Sequence, residues 1–545
     1  MDSIIFALDA DSVSRSEPQA IVISPSKDQW NDFGYRIRVD IFLPDRSTPD
    51  RRLELPGFLG FVGKGKEASD VRMLIERLNE SADGRLTSDQ LPTFFTMLPE
   101  IGAYREIVSR FGPKDATQLL VGMHDVVAAE ETYPGPIWFR GVREAGVFKQ
   151  AFMRSSEAFF ARTNAGAILQ GLEYEEVGLI SEIFNIRFHM AGRPNEHNLS
   201  FKFDVTGDIL PRRFAVVIGK NGVGKSQTLG HIANAALRGD KEMTDGKGGR
   251  PSLNRLLAFA PTLTTSSVFP SDRRRNPRVW YRRFALAHPG GSRERHTTAE
   301  LIMRLARSKE QIQTRDRLQL FLQAITAIDD WRELGLRTGR EHREIVRFEE
   351  LQSGGEQTRL ERLAAIDLGS EPVRVIQGRA YPLSSGEQSF LRFAAIASLH
   401  IENSTLVLLD EPEIHLHPNF ISQFVAVLDN LLEQTGSAAI IATHSVYFVR
   451  EAFEDQVVVL RSDHDRTIVA EKPTLKTFGA DVGSISYFVF GEDQPSRLAC
   501  QVERRIAESS SSWSETFESY KDDLSLELLG EIRARIEPPK PVRKA

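Results

Sequence analysis

Gly219-Lys220-Asn221-Gly222-Val223-Gly224-Lys225-Ser226 is the stretch whose reading decides the fold. It satisfies G-x-x-x-x-G-K-[ST] without a mismatch. Ahead of it, Phe214-Ala215-Val216-Val217-Ile218 is an unbroken apolar run of the kind a strand covered on both faces needs. Behind it, residues 227–237 read as a helix. Strand, glycine-rich turn and helix, in that order, let backbone N–H groups turn inward around an anion. Glycine puts no Cβ in the way, and the helix N-terminus adds partial positive charge. The pattern predicts a phosphate-binding loop in which Gly219, Asn221, Gly222, Gly224 and Gln227 frame the anion. Lys225 reaches the β- and γ-phosphates, and the Ser226 hydroxyl sits on Mg²⁺. ATP and Mg²⁺ are the expected ligands.

At 545 residues the chain holds two or three domains. Its 41% hydrophobic and 26% charged content are ordinary for a globular protein. The net charge of -6 excludes general basicity, so contact with nucleic acid has to come from a local patch. A single cysteine, Cys500, excludes an intramolecular disulfide framework and a Cys-based zinc cluster. The apolar run at residues 4–8 is too short, and too close to acids, for a secretory signal. No stretch of about 18 apolar residues occurs. A cytoplasmic protein without a membrane span is the expectation.

Residues 1–175 read as an α+β region without an assignable role. Residues 35–42 alternate as a half-buried strand, and 71–78 and 103–111 have helical spacing. Asp9 and Asp11 form a D-x-D that reads as a surface loop, since no further carboxylates complete a metal site. Strands at 180–188 and 199–205 lead into the phosphate loop, which places a nucleotide-binding domain at 176–490. An insert of helical character spans about 239–380. Within it, the glycine-rich residues 239–253 read as a mobile loop, 256–260 as a short strand, and 298–334 as strongly helical. Arg273, Arg274, Arg275, Arg278, Arg282 and Arg283 cluster around Trp280 and Tyr281. Guanidinium groups beside aromatics suit a nucleic-acid contact; equally, such a run is a solvated loop paired with local acids. Ser353-Gly354-Gly355-Glu356-Gln357 reads as a turn joining two elements. Residues 491–545 hold an amphipathic helix marked by Leu524, Leu526, Leu528, Leu529, Ile532 and Ile536, then a Pro- and Lys-rich tail.

Three further pieces carry chemistry. Leu383-Ser384-Ser385-Gly386-Glu387 precedes a helix with apolar Phe390, Leu391, Ala394 and Ile396. Leu406-Val407-Leu408-Leu409-Asp410-Glu411-Pro412 is an apolar strand ending in two carboxylates. Asp410 is the expected Mg²⁺ ligand and Glu411 the group that polarises the attacking water. A third apolar run, 438–442, ends in Thr443-His444-Ser445. A histidine directly after a core strand lies at the edge where ligands bind in α/β folds, within reach of a γ-phosphate and the attacking water.

Phosphate loop, serine signature, acidic strand and histidine, in this order, resemble the ABC-type ATPase head of transporters and of the SMC and RecF class of DNA-maintenance proteins. The fold implied is an α/β P-loop head with an insert, preceded by the α+β region. The resemblance implies that two copies face each other with ATP between them. Ser384, Ser385 and Gly386 of one copy then touch the γ-phosphate held on Lys225 of the other. Asp410-Glu411-Pro412-Glu413-Ile414-His415-Leu416-His417-Pro418 is similar to the D-E-P-E-x-H-L-H-P run of stand-alone bacterial ATPases of this type, and residues 477–490 resemble their C-terminal segment. Many serve antiviral defence; the PtuA-like ATPases of Septu and retron-associated systems partner a separate HNH nuclease. The resemblance places His415 and His417 in a loop facing the opposing copy. A regulatory ATPase of that kind is the first expectation. A DNA-repair ATPase acting directly on DNA is the second, and a transporter motor subunit the third. One departure stands out: no glutamine lies between Gln227 and Gln311, where the family has one, leaving Thr264, Ser266 or Ser267 in its place.

Overall fold

Short apolar segments build the first sheet: β1 (Ile4–Ala7), β2 (Ile21–Pro25), β3 (Arg38–Pro44), β4 (Arg52–Phe61), β5 (Arg85–Thr87) and β6 (Phe94–Met97), ordered β5-β1-β2-β3-β4-β6. This computed structural model describes the chain apart from residues 1–2, 11–12, 14–15, 29–33, 45–51, 64–68, 133–135, 172–179, 205–209, 211, 240, 262–267, 273–276, 287–296, 309, 313–314, 340–343, 464, 491–496, 510–511 and 538–545. On β3 the alternation expected from sequence buries Val39, Ile41 and Leu43. The sheet curls, as right-handed twist accumulates. Phe6 on β1 therefore meets Phe94 on β6 edge to face, ring centroids 5.1 Å apart, across three intervening strands. Helices α1 (Ile101–Phe111) and α2 (Ser156–Gln170) cover this sheet with Tyr104, Ile107, Phe160 and Ile168.

A hairpin of β7 (Ile183–His189) and β8 (Glu196–Lys202) precedes β9 (Phe214–Gly219) and α3 (Lys225–Arg238). Strand β10 (Met243–Thr244) pairs antiparallel with β7, Met243 opposite Ile186. The glycine-rich stretch read as a mobile loop is therefore partly structured. Asp245 completes it by accepting the N–H groups of Lys247 and Gly249.

Strands β11 (Arg255–Ala260) and β12 (Trp280–Ala285) also join the main sheet. The C-terminal part of the basic stretch, Trp280–Ala285, is thus an edge strand. The expected long helix over 298–334 is broken into α4 (Thr298–Arg307) and α5 (Arg317–Ile325). Between them lie the two-residue strands β13 (Gln311–Ile312) and β14 (Arg315–Asp316). The break has a local cause: Asp316 accepts the Gln319 N–H at 2.8 Å while the Gln319 side chain accepts the Asp316 N–H at 3.0 Å, a capping box that starts a new helix. The insert is mixed rather than helical, since β15 (Leu334–Arg337), β16 (Ile345–Arg347), β17 (Val373–Ile376) and β18 (Arg379–Pro382) form a four-stranded antiparallel sheet.

After it come α6 (Ser385–His400), β19 (Thr405–Asp410), α7 (Pro418–Thr435), β20 (Ala438–Thr443), β21 (Val457–Ser462) and β22 (Ile468–Glu471). The main sheet runs β12-β11-β19-β20-β9-β21-β22, parallel throughout except for the β21–β22 pair. Strands β9, β19 and β20 are buried along their whole length, which is why their sequences are apolar without alternation. Helix α3 covers one face with Leu229, Ile232 and Ala233. Helices α6 and α7 pack Phe393 and Phe424 near Phe259 of β11 and Phe448. Because the strands are parallel, their C-terminal ends share one edge. Register places Asp410 beside Ala442 and Thr443 beside Ile218.

Residues 1–479 form one compact unit and 480–545 a second. The second holds helices Val482–Phe490, Arg497–Ser509, Trp513–Tyr520 and Leu526–Ile536, with Leu529 and Ile532 buried and Trp513 against Phe517. No helix among the described residues is long and apolar enough to cross a membrane.

Candidate functional site

The loop after β9 turns through Gly222 and Gly224, both at positive φ, 83° and 95°. At Gly224 the left-handed φ strains any side chain, and a Cβ would lie 2.2 Å from Met190 Sδ, which would have to move aside. Lys225 opens α3 and is 5% exposed. Its Nζ donates to the carbonyls of Gly219 at 3.0 Å and Lys220 at 3.3 Å, which folds the loop around its own ammonium. Burial lowers the Lys225 pKa, while the carboxylates of Glu411, Glu413 and Asp410 act to raise it.

Asp410 ends β19 at 8% exposure. Burial lifts its carboxyl to about 6; the Ser226 hydroxyl bonded to it and the Lys225 ammonium work the other way, and Glu411 and Glu413 add to the rise. Its Oδ1 is buried without a hydrogen-bond partner. A buried, unpaired carboxylate oxygen beside a serine hydroxyl is the donor set a small hard cation takes. Ser226 and Asp410 therefore fit Mg²⁺.

Glu411 turns the chain sharply, at φ 45° and ψ 53°, in the left-handed region that side chains other than glycine enter at a cost of about 1–3 kcal/mol. The Ala442 carbonyl holds its N–H at 2.8 Å. This strained turn brings Glu411 to a cavity of about 520 Å³. One wall is the β7–β8 turn, with Met190, Ala191 and Arg193. The phosphate loop supplies Asn221, Gly222, Gly224, Lys225, Ser226 and Gln227, and Val268, Glu411 and His444 complete the lining. His444 Nδ1 lies 3.7 Å from Glu411 Oε1 and 3.3 Å from Glu413 Oε1.

The structure thus gathers the expected loop residues, Glu411 and His444 around one cavity, with Asp410 just behind it. Gly219 stands outside the lining because its Cα backs onto the Leu460 carbonyl, which a Cβ would approach to 2.3 Å. Ser384, Ser385 and Gly386 do not reach this cavity. Both serines are exposed and Gly386 is buried, at the N-terminus of α6. Ser384 caps that helix: its Oγ accepts the Glu387 N–H at 3.3 Å, and Glu387 Oε2 accepts the Ser384 N–H at 2.8 Å. Burial alone would raise the Glu387 carboxyl, but Ser384 and then Arg374, 2.9 Å away, hold it below the ordinary range.

Sequence reading assigns no role to two residues beside the site, Arg193 and Glu413. Arg193 Nη2 donates to the Gly222 carbonyl at 2.6 Å and Nη1 to the Arg466 carbonyl at 3.2 Å, clamping the loop to the β21–β22 turn. Glu413 lies inside the D-E-P-E run, yet its partners are at the end of β20.

Thr264, Ser266 and Ser267 lie outside the described residues, as do Arg273, Arg274 and Arg275. Of the other arginines, Arg283 pairs with Asp272 at 3.0 Å, Arg278 packs over Gly239, and Arg282 sits 5.8 Å from the Trp280 ring.

Residues 333–450 match the family model described as "AAA domain, putative AbiEii toxin, Type IV TA system". That span takes in the capped helix α6, the acidic strand β19 and His444. The chain is 23% identical over 525 residues to Protein ea59 of Escherichia phage lambda, covering 93% of this chain and 94% of that protein. With a phosphate loop and an acidic strand meeting at one edge of a parallel sheet, the chain carries an AAA-type P-loop ATPase domain.

Proposed function

We propose that the protein hydrolyses ATP, closes in pairs around it, and uses that cycle to govern a separate effector nuclease in prokaryotic antiviral defence. The observation that carries the reading is the convergence of Lys225, Ser226, Asp410, Glu411 and His444 on the C-terminal edge of β9, β19 and β20. Lys225 exchanges its two loop carbonyls for the β- and γ-phosphate oxygens. Ser226 and Asp410 hold Mg²⁺, which when bound offsets charge on the phosphate oxygens. Glu411 takes a proton from water as the water oxygen bonds to the γ-phosphorus and the bridging oxygen leaves with ADP. His444 orients the water from the cavity wall.

Exposed Ser384 and Ser385 sit at a helix N-terminus, where backbone N–H groups favour an anion. In the same chain they do not line the cavity, so a second copy is the natural source of that anion. The nuclease role rests on the resemblance of residues 410–418 to ATPases that partner HNH enzymes, and on a family description that names a toxin.

Purifying the protein with its operon neighbours, with and without ATP and Mg²⁺, tests this reading. It predicts phosphate release by the purified protein and a nuclease that co-purifies in one nucleotide state. Absence of a nuclease among neighbours and co-purified proteins contradicts the effector role; absence of phosphate release contradicts the ATPase.

A further inference from the structure

Glu413 gathers three contacts on one oxygen. Its Oε1 accepts the Thr443 Oγ–H at 2.6 Å and the His444 backbone N–H at 2.9 Å. The same oxygen faces His444 Nδ1 at 3.3 Å. Thr443 Oγ1 in turn accepts the Ser445 N–H at 2.9 Å, so the whole turn after β20 is tied to this carboxylate. The side chain is 7% exposed, and its Oε2 is buried without a partner. A carboxylate buried so deeply is costly unless its contacts do something. Glu413 does not line the nucleotide cavity.

We propose that Glu413 is a positioning residue for His444. Its Oε1 accepts from the Nδ1–H of the imidazole, fixes the ring against the end of β20, and leaves Nε2 bare toward the cavity. Two groups compete for Nδ1: Glu411 Oε1 at 3.7 Å and Glu413 Oε1 at 3.3 Å. By holding Nδ1, Glu413 keeps Glu411 free to act on water. A bare Nε2 accepts a hydrogen from the attacking water and so aims its lone pair; with both nitrogens competing, the ring would sample either tautomer. This proposal rests on the ATPase reading for its purpose, but the tautomer itself does not depend on nucleotide.

The test pairs kinetics with nitrogen spectra of the full chain labelled at histidine. His444 is assigned by the signal lost in H444Q. In nucleotide-free wild type, Nδ1 is expected protonated and Nε2 bare. E413A is expected to show a tautomer mixture and a kcat for ATP 10- to 100-fold lower, with KM within about 3-fold. E413Q keeps an acceptor oxygen and is expected to lie between wild type and E413A. A wild-type spectrum with Nε2 protonated overturns the proposal. So does unchanged kcat in E413A, or a kcat loss with the His444 signals unmoved. Should E413A fail to fold, the wild-type spectrum and E413Q decide. A wild type without ATPase activity would defeat the proposed function, while the tautomer still decides the role of Glu413.

Discussion

Lys225, a residue 5% exposed, has its ammonium held by two carbonyls of its own loop. Replacing it with Ala removes the charge that β- and γ-phosphates exchange for those carbonyls. Lys225→Ala is expected to weaken ATP binding by at least about 100-fold in a calorimetric titration, with the folded chain intact, since one lost charge-assisted contact in a buried site is worth about 3 kcal/mol. Binding within about threefold of wild type would remove Lys225 from the site. Glu411→Gln keeps the shape of the strained turn but cannot take a proton. It is expected to bind ATP normally and to hydrolyse it 10²- to 10⁴-fold more slowly, as loss of a general base does; hydrolysis at the wild-type rate would assign the base elsewhere. Lys225, Ser226, Asp410 and Glu411 were legible because each sits beside its own strand, within a few residues of the motif that marks it. Arg193 and Glu413 were not. Their partners lie 29 and 31 positions away, and only the fold brings them together.

Helix α6 begins where Ser384 and Glu387 cap each other, and Arg374 from β17 braces the carboxylate from outside. Ser384→Ala removes the hydroxyl that accepts the Glu387 N–H and leaves the backbone half of the box, the Ser384 N–H on Glu387 Oε2, in place. It is expected to cost about 1 kcal/mol in urea unfolding, and to lower ATPase activity by more than that stability loss explains if the helix N-terminus meets nucleotide. Ser384→Asp restores the cap and separates the two effects: stability returns, while a carboxylate facing phosphate keeps activity low. Full activity in Ser384→Asp would leave the serine a structural cap alone. At this scale the sequence was readable wherever a strand is buried on both faces, as in β9, β19 and β20, because burial demands an unbroken apolar run. It misled over 298–334, where apolar residues are dense enough for one helix yet a capping box at Asp316 starts another. The insert was misread as helical for a related reason. Strands β15 to β18 are only three or four residues long, and so short a run shows no period.

Over the whole of residues 1–479, the curled first sheet and the main sheet are joined through a buried ionic cluster. Arg105 of α1 bonds Glu402, in the turn before β19, at 2.8 Å; Arg317 of α5 lies 3.6 Å from the same carboxylate. Burial would raise the Glu402 carboxyl, but Arg105, Arg317 and Arg255 outweigh it and hold it at about 2. Its folded pKa lies below its unfolded one, so it stabilises the fold above about pH 4.5 and loses that contribution as pH falls toward 2. Glu402→Gln removes the buried negative charge that Arg105 and Arg317 share and is expected to cost about 3–5 kcal/mol at pH 7. The deficit, followed by urea unfolding, is expected to hold level down to about pH 5 and to shrink below it. A deficit that grows on acidification would contradict the assignment.

The central claim is that nucleotide joins two copies, one presenting Lys225 and the other Ser384 and Ser385. Light scattering of Glu411→Gln during size exclusion, with and without ATP and Mg²⁺, tests it most directly. The account predicts a monomer without nucleotide, a dimer with it, and a return to monomer when Ser385→Arg is added, with ATP still bound. A chain that binds ATP on Lys225 and stays monomeric at every concentration would contradict it.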